Sequence, residues 1–480
     1  MGSLSQTHEV PHSVDEECSH LLPWLRQKAG AEISSHLTIG KSVYGRSLFA
    51  SKPIQAGDCI LKIPHSLDLT ADNLHPSVSS LLGEGVDDDV KLALVVLLHQ
   101  KLGQASELAP YISCLPRVEE MHNTMLWSND ELEMIKTSLL YEITLQIKDI
   151  IEEEFLNIKH VLDRFPEYFE DVTLHKFKHA YNLDFFNHDI DSETRVLNDD
   201  FEPVSKVIAG KNYAPGDEVF IRYKDVTNDK LLLQYGFMNP SSEYHTVLVE
   251  FTVPQHDHLH AMKLDLLDRH LIPDEMGLNV INWFIVRNVE RSCVEGRGIS
   301  IELRAFARVA MESGSLFPQK MPQWMGIPLG ETTLPLPFPI IWSSCELQQL
   351  AMEATEDDGH LARVPLKNKA REMEAHQFLR LRFDDMIENH SAALEANSVA
   401  FKYYDYRFLC PSKIIYYNTS SSCTRVHENL QQSLTRAASP TLSGKCARRM
   451  QLARDLLTND LQILRSASVW LKNYCEALKV

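Results

Sequence analysis

Two strand-rich stretches separated by a long helical region constrain the fold of this chain more than any other feature. In the first stretch, residues 36–70, short apolar runs at Ser47–Ala50 and Cys59–Pro64 flank a Gly57-Asp58 turn. Strand-like runs on either side of a Gly-Asp turn predict a β-hairpin.

The region between the two stretches has the spacing of amphipathic helices. One helical pattern begins at Val90 and stops at Gly103, and a longer one covers residues 131–162, with Asp130 as its predicted cap. Strand character then returns in three runs, 204–208, 218–223 and 247–253.

Beyond about residue 255 the sequence is mostly helical in pattern. Residues 345–356, 366–397 and 448–478 predict the clearest helices, and the Ser/Thr-rich residues 418–445 predict a flexible linker. The chain is therefore expected to be an α+β protein. We expect a β-rich part interrupted by a helical insert and followed by an all-α C-terminal domain.

Composition narrows the classes of partner. At 480 residues the chain is long enough for two or three domains, and its net charge of -19 argues against nucleic acid as the main partner. The nine cysteines include no C-x-x-C pair, so neither a disulfide framework nor a zinc cluster is expected, and we predict no metal site.

The longest apolar run and the N-terminal residues bear on the expected location of the protein. The longest apolar run, Leu334–Trp342, is short and contains three prolines, so no membrane-spanning helix is expected. The N-terminus carries Asp15, Glu16 and Glu17 and lacks an apolar or Arg-rich stretch, which supports neither secretion nor plastid import. We therefore expect an intracellular protein, in the cytoplasm or alternatively in the nucleus.

The second strand-rich stretch carries three motifs in a fixed order. They are Asn187-His188-Asp189, the run Pro215–Tyr223 and the run Leu231–Phe237, which ends in Tyr235-Gly236-Phe237. An Asn-His pair, a strand ending in Tyr and a second Tyr before Gly-Phe form the most specific pattern in the chain. Each motif alone is common in loops and strands, and their shared spacing carries the signal. A second triplet, Asn389-His390-Ser391, lies in a helical pattern without these neighbours, and we assign it no function.

These motifs resemble the C-terminal half of a SET domain, and Tyr44–Ala50 resembles its opening strands. Between the halves, Tyr111–Pro116 and Met125-Leu126-Trp127 resemble the helical insert of the Rubisco large-subunit lysine methyltransferase-like class. Members of that class join a split SET domain to a helical substrate-binding domain. The resemblance implies SET segments at 20–80 and 176–254, an insert at 81–175 and a helical substrate-binding domain at 255–480.

The resemblance also implies a function and a set of site residues. The implied activity is transfer of a methyl group from S-adenosylmethionine (AdoMet) to a lysine of a protein substrate. The backbone around Tyr44 and Arg46 would line the methionine part of AdoMet, and His188 would lie near the adenine. Cofactor binding falls on Tyr44, Gly45, Arg46, Asp184, Asn187, His188, Tyr235 and Phe237, the last two also shaping the acceptor channel, and catalysis falls on Tyr223.

Departures from the family pattern leave two alternatives open. Ser47 stands where the family has a second glycine, and Asp189 stands where it has a serine. Residues 174–180 run almost directly into Asn182-Leu183-Asp184, so the family's cofactor-binding arginine has no match here. The alternatives are a histidine methyltransferase of the same class, and an inactive binding or scaffold protein that keeps the SET shell.

Overall fold

The structure is a computed structural model of the whole chain. It describes residues 18–29, 32–33, 35–42, 45–83, 85–181, 192–198, 203–222, 227–239, 245–253, 283–288, 298–311, 365–366, 368–409 and 440–479, with a few single positions between 255 and 267.

The described strands and helices follow one another in this order. The strands are β1 (Glu32–Ile33), β2 (Leu37–Ser42), β3 (Gly45–Ala50), β4 (Cys59–Pro64), β5 (Arg195–Asn198), β6 (Val204–Ile208), β7 (Glu218–Val219), β8 (Thr246–Glu250) and β9 (Trp283–Arg287). The α-helices are α1 (Leu21–Ala29), α2 (Pro76–Ser79), α3 (Asp88–Leu102), α4 (Ala109–Ile112), α5 (Asn129–Leu132), α6 (Leu139–Leu162), α7 (Pro166–Phe169), α8 (Leu174–Ala180), α9 (Asn228–Lys230), α10 (Ile301–Ala310), α11 (Lys369–Leu409) and α12 (Pro440–Ala477). Short 3₁₀ turns lie at His65–Leu67, Ala71–Asn73, Gly103–Ala105, Val118–Glu120, Thr124–Leu126 and Glu133–Ile135, and a π-helical turn lies at Leu231–Tyr235.

The chain divides into two compact units. The first contains Met1–Leu132, Glu142–Pro240 and Asn418–Leu452, and the second contains Glu133–Tyr141, Ser241–Tyr417 and Ala453–Val480. Each unit is built from segments far apart in the sequence. The four domain boundaries inferred from the resemblance stay predictions.

Two antiparallel sheets form the β-rich part of the first unit. One has the strand order β1-β4-β6-β5, and the other has the order β2-β3-β7. Apolar residues of both sheets share one core, among them Ile39 and Leu48 of the three-stranded sheet and Ile60 and Val207 of the four-stranded sheet. Early and late parts of the sequence therefore fold as one body.

The predicted β-hairpin of Ser47–Ala50 with Cys59–Pro64 is wrong. Strand β3 pairs with β2 and β7, and β4 pairs with β1 and β6. Both strands form as expected, but each pairs with one earlier strand and with one strand from residues 204–219. Even the segment between them pairs with later sequence, since Ile54 forms an isolated bridge with Tyr213.

The insert helices follow the predicted apolar spacing closely. Helix α3 ends where Gly103 takes a φ of 51°, and its residues Val90, Ala93 and Leu94 have no exposed surface. The longer predicted helix of 131–162 is interrupted: α5 and a 3₁₀ turn precede α6. Thr137 and Ser138 lie in this interruption, and hydroxyl residues favour turns over helix interiors.

The predicted cap of that region also moves by two residues. The Ser128 hydroxyl accepts from the Glu131 amide at 3.2 Å, and the Glu131 carboxylate accepts from the Ser128 amide at 2.8 Å. This reciprocal pair is a capping box. Ser128, and not Asp130, therefore begins the helical region.

The second unit is mainly helical around a small sheet. Strands β8 and β9 pair antiparallel, and their apolar residues pack against α10, α11 and the second half of α12. The side chains of Arg308 and Glu372 are fully buried and joined by two hydrogen bonds of 2.8 and 2.6 Å. A buried pair of this geometry satisfies both charges but costs desolvation energy, so we read it as a fixed structural contact.

The predicted bounds of several later elements differ from those in the structure. Helix α11 extends to Leu409, beyond the predicted end at 397, and β8 ends at Glu250 and not at 253. Helix α12 begins at Pro440, so the linker prediction fails from there onward. The predicted helix at 345–356 lies outside the described residues.

The predicted α+β class is confirmed, with a β-rich part interrupted by helices and a mainly helical C-terminal part. One strand, β9, lies inside the region predicted to be entirely helical. Among the described helices, none is long and apolar enough to cross a membrane.

Candidate active site

The early glycine turn has an unusual backbone geometry. Gly45 begins β3 with a φ of 115°, a value that residues with a Cβ rarely adopt. No described atom lies within 4 Å of where a Cβ would stand at Gly45. The main chain at this position is therefore open to a neighbouring molecule.

The side chain of Arg46 is buried and contacts other residues of the protein. It is 6% exposed, and its Nη1 lies 3.2 Å from Glu120 Oε2 and 3.5 Å from the carbonyl oxygen of Leu115. Both partners belong to the helical insert. Arg46 thus leaves only its backbone for cofactor contact, as the resemblance implied, and its charge anchors the insert to β3.

A buried histidine holds the same part of the insert from the other side. His179 Nε2 lies 2.8 Å from the carbonyl oxygen of Pro116, which can only accept, so this nitrogen carries the proton. Burial lowers the pKa of His179, so the ring is neutral near pH 7. Residues 115–116 are therefore fixed between Arg46 and His179.

Strand pairing brings the glycine turn to the segment that leads to Tyr223. Leu48 pairs with Val219, and Phe49 pairs with Glu218. The amide of Ala50 also donates to the carbonyl oxygen of Asp217 at 2.8 Å. Two motifs that are distant in sequence are therefore neighbours in one sheet.

A second contact ties the end of the Asn-His region to the same segment. The Ser192 hydroxyl, four positions after His188, donates to the carbonyl oxygen of Phe220 at 2.7 Å. The same hydroxyl accepts from the Thr194 amide at 3.2 Å. The residues flanking the Asn-His motif and those flanking Tyr223 are thus joined directly.

The Tyr235-Gly236-Phe237 motif closes a π-helical turn. The Gly236 amide donates to the carbonyl oxygen of Leu231 at 2.9 Å, and Gly236 has a φ of 79°. The rings of Tyr235 and Phe237 lie 6.3 Å apart with planes at 54°. π-helical turns are rare and occur mostly at functional sites.

The insert residues beside this turn are electrostatically unusual. Burial, together with the nearby cations Arg449, Arg448 and Lys445, lowers the pKa of His122 to about 4. Burial and the neighbouring cations likewise lower the pKa of Lys148 to about 8, and its ammonium donates to the carbonyl oxygen of Trp127 at 2.6 Å. Cations therefore lie close to both His122 and Lys148, although the chain as a whole is acidic.

Four of the nine predicted site residues are described. Gly45 and Arg46 lie at the start of β3, and Tyr235 and Phe237 lie at the π-helical turn. The remaining five lie outside the described residues: Tyr44, Asp184, Asn187, His188 and Tyr223. Their convergence on one cleft stays a prediction.

Sequence reasoning missed the residues that hold the motifs in place. Glu120 pairs with Arg46, Ser192 bonds Phe220, and the Asn123 amide donates to the carbonyl oxygen of Gln234 at 3.2 Å. Each pair is separated by 28 to 111 positions. A single sequence carries no signal for contacts at such separations.

The unassigned triplet Asn389-His390-Ser391 lies inside α11, in the second unit. His390 is 1% exposed, and its Nδ1 lies 2.9 Å from the carbonyl oxygen of Met386 one turn earlier. Its Nε2 lies 3.4 Å from a carboxylate oxygen of Asp460. These contacts hold the ring within the packed helices of that unit.

Comparison with known proteins defines the class of domain. Residues 45–224 match the family model described as SET domain. This confirms the suspected recognition, and the match includes the whole predicted insert and part of each predicted SET half.

Curated relatives match more than half of the chain. The chloroplastic ribulose-1,5 bisphosphate carboxylase/oxygenase large subunit N-methyltransferase of Nicotiana tabacum is 23% identical over 304 residues, which is 56% of this chain and 60% of that protein. The chloroplastic [fructose-bisphosphate aldolase]-lysine N-methyltransferase of Arabidopsis thaliana is 24% identical over 314 residues, covering 58% of this chain and 63% of that protein. The chain thus matches under two thirds of the length of these relatives.

A solved structure extends the similarity to almost the whole fold. Rubisco LSMT bound to AdoMet has a TM-score of 0.59 and 17% identity, covering 97% of this chain and 93% of that one. At this identity the likeness establishes the fold alone.

Proposed function

We propose that this chain is an AdoMet-dependent protein-lysine N-methyltransferase. The observation that carries the proposal is the extent of the SET match, residues 45–224. It begins at the predicted cofactor-binding glycine, Gly45, and ends one residue after the predicted catalytic Tyr223. The matched range therefore contains both Gly45 and Tyr223, to which the motifs assign cofactor binding and catalysis.

The described geometry supports this assignment. Pairing of β3 with β7 places the residues after Gly45 beside those before Tyr223. The Ser192 contact with Phe220 brings the end of the Asn-His region to the same strand. The turn at Gly45, open at the Cβ position, fits close approach of a cofactor to the main chain.

When bound, AdoMet supplies the methyl group from a positively charged sulfur. In the proposal, the backbone of Tyr44 and Gly45, together with Asn187 and His188, binds and orients it, and Asp184 supports the Asn-His loop. In-line transfer depends mainly on alignment, so positioning groups supply most of the rate enhancement. Tyr223 would direct its hydroxyl at the transferring methyl and the attacking nitrogen.

The acceptor amine must be neutral to attack. A free lysine has a pKa of about 10.4. A mainly apolar channel beside a sulfonium disfavours the ammonium form and lowers that pKa. Tyr235 and Phe237 are the residues that would supply such walls, and their rings already lie side by side. No dedicated carboxylate base is required.

The relatives support lysine as the acceptor and a protein as the substrate. The Arabidopsis relative is named as a lysine N-methyltransferase. The net charge of -19 suits a basic or lysine-bearing protein segment. We propose that the helical part beyond residue 255 docks this substrate, and that the protein acts in the cytoplasm or nucleus. Imaging of a tagged chain tests the location.

Calorimetric titration with AdoMet tests the cofactor assignment. The wild-type chain should give saturable heat, Asn187→Ala should lose it, and the exposed control Asn157→Ala should keep it. Absence of heat in the wild-type chain would favour the scaffold alternative. Where transfer occurs, amino-acid analysis of the acceptor separates methyl-lysine from methyl-histidine.

A further inference from the structure

We infer that Asn123, held in place by Arg449, is a positioning residue for the acceptor channel. The inference rests on the proposed function, because it assigns Asn123 the task of orienting Tyr235 and Phe237. All the residues that carry this inference belong to the first unit.

Asn123 makes a direct contact with the motif turn. Its side-chain Nδ2 donates to the carbonyl oxygen of Gln234, the residue before Tyr235, at 3.2 Å. Asn123 has no exposed surface. A buried hydrogen bond between a side chain and a main-chain carbonyl resists displacement of that carbonyl, because water cannot replace the donor.

The backbone of the same residue also lies against the turn. A Cβ built on Gly236 would stand 2.4 Å from the Asn123 nitrogen and 2.6 Å from the His122 carbonyl carbon. The left-handed glycine between the two rings is therefore in van der Waals contact with residues 122–123. Side chain and main chain of Asn123 together set where the turn lies.

Arg449 in turn fixes the segment that carries Asn123. Its Nη2 donates to the carbonyl oxygen of Met121 at 3.2 Å, and its Nη1 donates to that of Leu126 at 3.1 Å. These carbonyls lie on either side of Asn123. Nη1 also lies 2.6 Å from a carboxylate oxygen of Glu131, which balances the buried charge.

The planar guanidinium is suited to this task because its donors have a fixed spread. An ammonium cannot reach two carbonyls and a carboxylate with the same geometry. Arg449 is 2% exposed at its side chain, so solvent does not compete for its donors. The result is a chain of contacts from Arg449 through residues 121–126 to Asn123 and then to the turn at Gly236.

Accurate placement matters because aligned transfer tolerates little displacement of the groups around the acceptor. A shift of about 1 Å in a positioning element can cost about a hundredfold in rate. Tyr235 and Phe237 are assigned to AdoMet binding as well as to the acceptor channel. Loss of Asn123 should therefore lower turnover of the acceptor and weaken AdoMet binding as well.

Three variants test the inference on the full chain. Asn123→Ala removes the side-chain amide, and Asn123→Asp keeps the shape of the side chain but replaces the N–H donor by an oxygen. Arg449→Lys keeps the positive charge but removes the planar guanidinium with its several donors. Matched controls are the exposed Asn157→Ala and Arg164→Lys. Amide hydrogen exchange over residues 231–237 measures the turn without reference to activity, and steady-state methylation kinetics measure its consequence.

We expect faster exchange at 231–237 in all three variants, with kcat/KM for the acceptor, measured at saturating AdoMet, lower by about tenfold or more. For Asn123→Asp, protonation restores a donor toward Gln234. Its activity relative to wild type should therefore rise as the pH falls, which a purely structural lesion would not produce.

Unchanged exchange at 231–237 in Asn123→Ala and Arg449→Lys would overturn the inference, whatever the activity. Faster exchange with unaltered acceptor kinetics would also overturn it, because the turn would then not position the acceptor. If the wild-type chain transfers no methyl group at all, the proposed function fails. Exchange then still decides separately whether Asn123 and Arg449 hold the turn.

Discussion

The hydroxyl of Ser192 donates to the carbonyl oxygen of Phe220 at 2.7 Å, joining the residue four positions after His188 to the residue three positions before Tyr223. Ser192 is 6% exposed. This bond and the pairing of β3 with β7 join residues that lie next to three motifs in the sequence. The proposed active site requires these segments to lie together.

Loss of this bond should affect stability and cofactor binding together. Ser192→Ala should lower the free energy of unfolding by about 1–2 kcal/mol, because the hydroxyl loses its bond to Phe220 and the one it accepts from Thr194. It should also weaken AdoMet binding in a calorimetric titration, since the Asn-His region loses its tie to the strand. Ser80→Ala removes an exposed bond to the Ser77 carbonyl oxygen and should change neither quantity. Wild-type AdoMet affinity in Ser192→Ala would contradict the role given to this bond.

Gly236 should tolerate no side chain. Gly236→Ala adds a Cβ at a φ of 79° and within 2.4 Å of the Asn123 nitrogen. Strain at positive φ costs about 1–3 kcal/mol, and overpacking costs about as much again. Thermal unfolding should show the loss. The exposed Gly83, where no described atom lies within 4 Å of the Cβ position, is the matched control. Equal stability of the two alanine variants would disprove the close contact.

Stability in the second unit should fall in mild acid because of His376. Burial lowers the pKa of His376 to about 4, so the folded state keeps the ring neutral while the unfolded state, at about 6.5, binds a proton. The stabilisation is complete above about pH 6.5 and is lost as the pH falls toward 4.

The test compares His376→Asn with wild type by denaturant unfolding at pH 7 and pH 5. Wild type should lose about 2 kcal/mol more than the variant over this interval. Asparagine is chosen because its amide can still donate to the Glu372 carbonyl oxygen, which His376 Nδ1 contacts at 2.8 Å. His160→Asn, at an exposed position, is the control. Parallel pH dependence of wild type and His376→Asn would refute the assignment.

Removal of the Tyr223 hydroxyl should lower turnover without weakening AdoMet binding. Tyr223→Phe should bind AdoMet as wild type does and lose most of its turnover, by about a hundredfold, because the hydroxyl that aligns the methyl and the amine is gone. Isothermal titration and a methylation assay on the same preparation provide both numbers. Tyr141→Phe, which removes a hydroxyl that donates to Glu133 at 3.3 Å, is the control. Full activity in Tyr223→Phe would remove Tyr223 from the mechanism.

Local sequence patterns predicted the elements better than their partners. The apolar spacing of residues 90–102 and the stop at Gly103 were sufficient to predict α3, since helix formation depends on residues three and four positions apart. The strands at 47–50 and 59–64 were also readable. Their pairing was not, because both took long-range partners in β6 and β7 in place of each other.

The same division applies to the site. Gly45 and the Tyr235-Gly236-Phe237 motif were found through their resemblance to family motifs, and the positive φ of Gly45 and Gly236 came from the structure. Glu120, Asn123 and Ser192 were missed because each acts through a partner far along the chain. Buried polar partners of this kind are ordinary residue types, and only the fold reveals which ones meet.

Transfer of an isotopically labelled methyl group shows whether the chain methylates a protein lysine. The purified chain is incubated with methyl-labelled AdoMet and a panel of intact proteins, with Tyr223→Phe run in parallel. We expect the wild-type chain to label at least one protein, with the label recovered after hydrolysis as methyl-lysine. Tyr223→Phe should transfer almost no label. Label recovered only on histidine would contradict the lysine assignment. Absence of label together with absence of AdoMet binding would contradict the proposed activity itself.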